Sequence, residues 1–221
     1  MRAVVFDMDG LMFDTERVCV QAWDYAGDKM GIGKAGFMVL KTLGMNAVRT
    51  KEMWKKEFGE QYDAVALRKY SKEFMTAYYK ENTLPVKKGL HVLLEYLKEE
   101  GYKMAVASSS RYTEIRENLR DAGVTDFFMA VVGGDRISRS KPEPDIYLKA
   151  CELLGEKPAD CYALEDSRNG LLAAHRAGCV PLMVPDLWEP DEEIQEIIAG
   201  KFDDLAQVKD YLVRLGTGGK Q

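Results

Sequence analysis

The sequence predicts an α/β fold, a doubly wound parallel sheet with a small all-helical segment inserted after the first strand. Three observations carry that prediction. Ala3-Val4-Val5-Phe6 is an unbroken apolar, mostly β-type run, which is how a strand covered on both faces of a parallel sheet reads. From Leu84-Pro85 onward, helix-period and strand-like stretches alternate, as successive βα units require. Between those regions only helical periodicity is visible.

The first strand stops at Asp7, and Asp7-Met8-Asp9-Gly10 makes the turn beyond it. Residues two apart in extended chain point the same way, so both carboxylates can face one ligand at the rim where ligands collect in open α/β sheets. Gly10 lets the backbone turn away without a Cβ in its path. A lone DxDG is equally an ordinary turn, so the rest of the chain must decide. Over 15–30, Val18, Ala22, Ala26 and Met30 recur every four residues with Trp23 beside them, a helical stripe. A second helix is expected from Asn46, a good N-cap, through Met53 and Trp54 toward Phe58. A third is expected from Asp63 to Asn82, with Ala66, Tyr70, Phe74 and Tyr78 on one face. Gly31-Ile32-Gly33 lacks the preceding strand that a dinucleotide-binding loop needs. The expected division is a core of residues 1–13 and 85–221 around a helical cap of residues 14–84.

In the core, Leu90, Leu93, Leu94 and Leu97 form a helix stripe closed by Gly101. Strands are expected over 103–107, 127–132, 161–164 and 180–184. Helices run through Ile115 and Leu119 to Gly123, over 146–154 and over 171–177. The Gly-rich tail after Leu215 is expected to fray.

Composition narrows the function classes. With 221 residues, 46% of them hydrophobic, the chain can bury a sizeable core. A net charge of −5 and no long basic cluster argue against a nucleic-acid partner. No run of about 18 apolar residues is present to span a membrane. The N-terminus enters a strand at once, without the pattern of a signal peptide, so a cytoplasmic location is expected. Cys19, Cys151, Cys161 and Cys179 are widely spaced without CxxC and read as reduced thiols. A monomer or weak dimer is the expected state.

Three further strand ends or following loops carry polar groups. Ser108, with Ser109 beside it, offers hydroxyl and backbone N–H donors that can hold a phosphate oxygen or simply cap a helix. Lys141 precedes Pro142-Glu143-Pro144-Asp145, a stiffened loop suited to anion recognition, although a lysine there can also be solvated. Glu165-Asp166 closes the fourth strand, with Asp166 or Ser167 available to cap the next helix. Together Asp7, Asp9, Glu165 and Asp166 would stand against Lys141 alone. A phosphate monoester adds nearly two more negative charges, and several close like-charge pairs would oppose its binding. Mg2+ resolves this, because it takes carboxylates, waters and a substrate phosphate together.

DMDG at 7–10, the strand-ending Ser108, Lys141 in KPEPD and Glu165-Asp166 in LEDSRNG resemble the four ordered motifs of the haloacid dehalogenase superfamily. The match runs from Val4 to about Val184. The helical insert resembles the small cap of its β-phosphoglucomutase-like branch. Leu84-Pro85-Val86-Lys87-Lys88-Gly89-Leu90 and Val184-Pro185-Asp186-Leu187 resemble the sugar-phosphatase-like members of that branch. The resemblance implies a Rossmann-like core, Mg2+ as cofactor and a small phosphorylated metabolite, a sugar phosphate, as substrate. It implies that Asp7 attacks phosphorus to form an aspartyl-phosphate and that Asp9 is general acid and then base. Asp7, the backbone carbonyl of Asp9 and Asp166 would hold Mg2+, with Glu165 as a ligand or an outer partner. Ser108, Ser109 and Lys141 would bind the transferring phosphoryl group. Closure of the cap, hinged near Phe13-Asp14-Thr15 and 82–86, would exclude water.

Two other readings compete. Sugar phosphomutases of this branch carry a cap-side histidine where alignment from DMDG puts Cys19, and His91 and His175 lie on core helices. A regulatory module with a vestigial site is disfavoured by the intact motifs. Dehalogenase chemistry in this superfamily lacks the second aspartate that Asp9 supplies. Lys88 and Ser140 depart from the proline and glycine usual at their positions. Arg17, Lys41, Thr42, Met45 and Asn46 can face substrate, solvent or a helix cap alike.

Overall fold

In a computed structural model that describes residues 3–217, β1 (Ala3–Phe6) lies inside the sheet, and all of its residues are buried. Val4 and Phe6 enter one apolar layer while Ala3 and Val5 enter the other, as the two-residue period of a strand dictates. β2 (Lys103–Ser108), β3 (Ala130–Gly133), β4 (Cys161–Glu165), β5 (Val180–Met183) and β6 (Gly200–Lys201) complete a parallel sheet of order β3-β2-β1-β4-β5-β6. The order reverses between β1 and β4, whose pairing runs Ala3↔Cys161 to Phe6↔Leu164. A crevice opens beyond the carboxyl ends of strands at such a reversal, and Asp7 and Glu165 stand there.

Between β1 and β2 come α1 (Thr15–Met30), α2 (Met38–Thr42), α3 (Ala47–Phe58) and α4 (Ala64–Glu81). Asn46 caps α3 by accepting from Arg49 N at 3.1 Å, and Asp63 caps α4 by accepting from Val65 N at 2.8 Å. The four helices enclose their own apolar cluster of Ala26, Ala35, Met38, Trp54 and Leu67. Trp54 is fully buried against Trp23, Phe58 and Tyr62, with ring centroids 5.1, 5.2 and 5.7 Å away. α2 was not expected; it is too short to show a period, and burial of Met38 and Val39 is what forms it. The two segments joining this insert to the sheet pair with each other through Asp14 N to Pro85 O and Lys87 N to Met12 O, both 2.9 Å.

α5 (Leu90–Glu99), α6 (Tyr112–Asp121), α7 (Asp145–Leu154), α8 (Arg168–Ala177), α9 (Glu192–Ile197) and α10 (Leu205–Thr217) alternate with the later strands. α5, α6 and α10 cover the Val4/Phe6 face through Leu93, Leu97, Ile115, Leu119, Val208 and Leu212. α7 and α8 cover the other face, where Ala105, Ala107 and Ala163 leave room for Ile146, Tyr147 and Ala173. The expected strand over 127–132 instead starts at Ala130. Thr125–Phe127 forms a 3-10 turn, and the Phe128 ring packs edge-on to Phe6 at 5.7 Å rather than extending the ladder. α9, β6 and α10 continue the series beyond 184, where none was expected. Gly216 and Thr217 are still helical, so the tail does not fray at Leu215; its last residues, 218–221, lie outside the described ones. All four cysteines are free thiols, with Cys151, Cys161 and Cys179 buried. No described helix is long and apolar enough to cross a membrane.

Candidate active site

The loop after β3 delivers Lys141, which is 1% exposed, into the crevice between β1 and β4. Its Nζ donates to Asp7 Oδ1 at 2.5 Å, to Glu165 Oε1 at 2.5 Å and to Ala107 O at 3.2 Å. An ammonium has three donors, and all three are used, which rules out the solvated alternative. Burial opposes its charge, but the Asp7 and Glu165 carboxylates more than offset that and push its pKa above the usual lysine value. Glu165 Oε1 also accepts from the Tyr147 hydroxyl at 2.6 Å, and Oε2 accepts from Ser167 Oγ at 3.1 Å. Both Glu165 oxygens are therefore occupied by donors.

One carboxylate oxygen each from Asp7, Glu165 and Asp166 lies within 4.8 Å of the other two, and all three residues are buried. Two glycines make this possible. A Cβ on Gly10, whose φ is +85°, would lie 2.4 Å from Asp166 Oδ2, and one on Gly170 would lie 2.0 Å from Glu165 Cδ. Burial, aided by Glu165 and Asp9 and opposed by Lys141, raises Asp7 to about 8. Burial with Asp7 and Glu165 nearby pushes Asp166 well above the carboxylate range. Close-set hard oxygens whose full ionisation would exceed what one lysine balances fit a divalent cation such as Mg2+.

Asp9 has a different environment. Thr15 Oγ1 donates to its Oδ1 at 2.8 Å, while Ser110 Oγ at 2.7 Å and Ser108 Oγ at 3.1 Å donate to its Oδ2. Its carboxylate is thus held by hydroxyls and stands outside the three-acid cluster. Ser108 and Ser109 were both expected at the phosphate; here the Ser108 hydroxyl holds Asp9 and the Ser109 hydroxyl donates to Gly44 O of the insert at 2.9 Å. Ser167, not Asp166, caps α8, accepting from Gly170 N at 3.2 Å. Asp166 is left for the cluster. His91 and His175 are exposed, on α5 and α8.

Several residues at the site were missed in the sequence. Tyr147 orients Glu165 from the middle of an apolar helix stripe, where nothing local marks it. Ser110 and Thr15 stood next to recognised residues, and the run of three serines was the available signal. Glu16, half-buried on the first turn of α1, is raised to about 8 by burial and by Asp9 and Asp7. Asp186, in the loop after β5 with its side chain fully buried, accepts from Arg17 Nη1 at 2.5 Å and Lys87 Nζ at 2.8 Å, tying the first turn of α1 and the second joining segment to the core.

Residues 1–178 match the family model described as haloacid dehalogenase-like hydrolase. A phosphorylated carbohydrates phosphatase of Thermotoga maritima is 30% identical over 191 residues, covering 80% of this chain and 82% of that protein. A β-phosphoglucomutase of Bacillus subtilis is 30% identical over 187 residues, covering 80% of each. Among solved structures, a β-phosphoglucomutase of Clostridium difficile shares the fold with a TM-score of 0.81 at 21% identity, covering 97% of this chain and 96% of that one. With a buried acid cluster at the sheet's reversal point and four-fifths of its length matched, the chain belongs to the haloacid dehalogenase-like hydrolase family.

Proposed function

We propose that the chain is a Mg2+-dependent phosphatase of a small phosphorylated carbohydrate, working through an aspartyl-phosphate on Asp7. The observation that carries this reading is the environment of two carboxylates two residues apart: Asp7 is gripped by Lys141 inside an acid cluster, while Asp9 is held only by hydroxyls. A nucleophile and a proton carrier need that separation of roles.

Asp7 attacks phosphorus, forming an O–P bond as the ester P–O bond breaks and its electron pair passes to the leaving oxygen. Asp9 protonates that oxygen. As a carboxylate it then takes a proton from the water that attacks phosphorus, which frees Asp7 and inorganic phosphate. Lys141, fixed by Glu165 and Ala107 O, stabilises charge on the transferring group. Asp7 and Asp166 would hold Mg2+ with the Asp9 carbonyl, and Glu165, saturated by donors, suits orienting Lys141 better than ligation. Bound Mg2+ supplies positive charge against the acids and the phosphate. In this reading residues 14–84 act as a cap over a core of 1–13 and 85–221.

The mutase relative supports a second reading, return of the phosphoryl group to a sugar. Against it, Cys19 stands where a mutase histidine is expected, and both histidines of the chain are exposed on core helices. One experiment separates the readings: incubation with Mg2+ and a panel of hexose, pentose and hexitol phosphates, followed for free phosphate and for isomerised sugar phosphate. Release of phosphate, lost with chelator and reduced to background in folded Asp7→Asn, is expected. Isomerisation of a hexose 1-phosphate without release would select the mutase, and turnover by Asp7→Asn near the parent rate would end the covalent mechanism.

A further inference from the structure

We infer that Asn169, Ser109 and Arg49 are positioning residues that latch the helical insert over Asp7 through main-chain acceptors, whatever ester is bound; the inference rests on the phosphatase reading above. The turn between α2 and α3 is the point of contact. Leu43 O accepts from Asn169 Nδ2 at 2.9 Å, and Gly44 O accepts from Ser109 Oγ at 2.9 Å. In the opposite direction, Arg49 Nη1 donates to Lys141 O at 2.6 Å. These bonds reach Ser109 just after β2, Lys141 in the loop after β3 and Asn169 in the first turn of α8, next to Ser108, at Lys141 itself and three residues beyond Asp166.

Two features make the contact specific to this turn. Gly44 has a φ of +69°, and a Cβ there would lie 2.6 Å from Ser167 Oγ and 3.3 Å from Asn169 Cβ. The insert backbone therefore rests against the hydroxyl that holds Glu165. Each bond ends on a carbonyl of the main chain, so its strength does not depend on the leaving group. A net hydrogen bond of this kind shifts a two-state ratio about two- to tenfold, and loss of two would compound to about fourfold or more. Ser109, expected at the phosphate, is in this account a latch residue.

The test uses the full chain, free of metal and substrate, in small-angle X-ray scattering, with amide exchange at residues 43–46 as a second measurement. Asn169→Ala/Arg49→Ala is expected to enlarge the radius of gyration and speed that exchange, with Arg49→Lys restoring both. Asn169→Ala alone carries the test if the double variant fails to fold. Kinetics with p-nitrophenyl phosphate and with glucose 6-phosphate in Mg2+ should then show kcat/KM falling by the same factor for each. Parent-like scattering and exchange in the folded variants would overturn the latch, as would unequal losses, which would mean contact with the leaving group. Scattering and exchange need no turnover, so an inactive parent protein would count against the phosphatase reading alone.

Discussion

The sheet core holds a buried ionic network and the helical insert holds none among the described residues, although each leaves buried polar atoms without a hydrogen bond, Thr125 Oγ1 and Asp186 Oδ2 in the core. In the core, Lys141, Asp7, Glu165, Tyr147 and Ser167 form a buried ionic network in which each named oxygen has a donor. In the insert, Trp54 Nε1 and Ser71 Oγ are buried without a partner among the described residues, within a centre made of stacked aromatic rings. The core thus fixes charge in place, which is what a developing transition-state charge needs, while the insert is held by packing and meets the core mainly through main-chain carbonyls. On the proposed reading, chemistry falls to the first kind of interior and access to the second.

The sharpest way to break that contrast is to remove the core's cation. Lys141→Met leaves Asp7 and Glu165 buried beside each other without a counter-charge, a change that typically costs about 3–5 kcal/mol. The full cost appears only at alkaline pH, because Lys141 lowers Asp7 in the parent and its removal lets Asp7 keep a proton above about pH 8; urea unfolding of the metal-free protein as pH is raised past that point measures it. A loss under about 1 kcal/mol would mean that the network does not exist in solution.

Trp54→Ala strikes the other interior. Removing a buried aromatic costs about 3–5 kcal/mol, toward the lower end here because the orphaned indole N–H goes with it. Hydrogen exchange should rise across residues 15–81 while the amides of β1 and β4 keep their protection. Equal loss of protection in the strands would show one cooperative unit instead of two interiors.

The smallest expected effect is on Mg2+ affinity. Asp7 is raised from an ordinary 3.8 to about 8, so in the metal-free fold it keeps its proton at neutral pH. A cation must displace that proton and the one on Asp166, which is also pushed well above the carboxylate range, so affinity should climb about tenfold or more per pH unit below about 8. The same shift means that the folded state binds the proton more tightly than the unfolded one. Its contribution to metal-free stability therefore falls as pH rises through that window. Titration calorimetry in buffers of different ionisation heat at pH 6.5 and 8.5 would detect proton release at the lower value; none at either would show Asp7 already ionised.

Residue order was enough to place the ends of β1, β2 and β4. Burial on two faces demands an apolar run, and charge can appear only where the run stops; Asp7, Ser108 and Glu165 mark those stops. The cap at Asn46 and the helix start at Asp63 were legible for a similar local reason, whereas the choice of Ser167 over Asp166 as the cap of α8 was not. Phe127 and Phe128 misled because their apolar character serves packing beneath the sheet rather than the ladder. What remained to the tertiary structure was pairing. Lys141 meets Asp7 across 134 positions and Glu165 across 24, and Ser109 meets Gly44 across 65. Strand order and the docking of the insert choose those partners, and no periodicity along the chain encodes them.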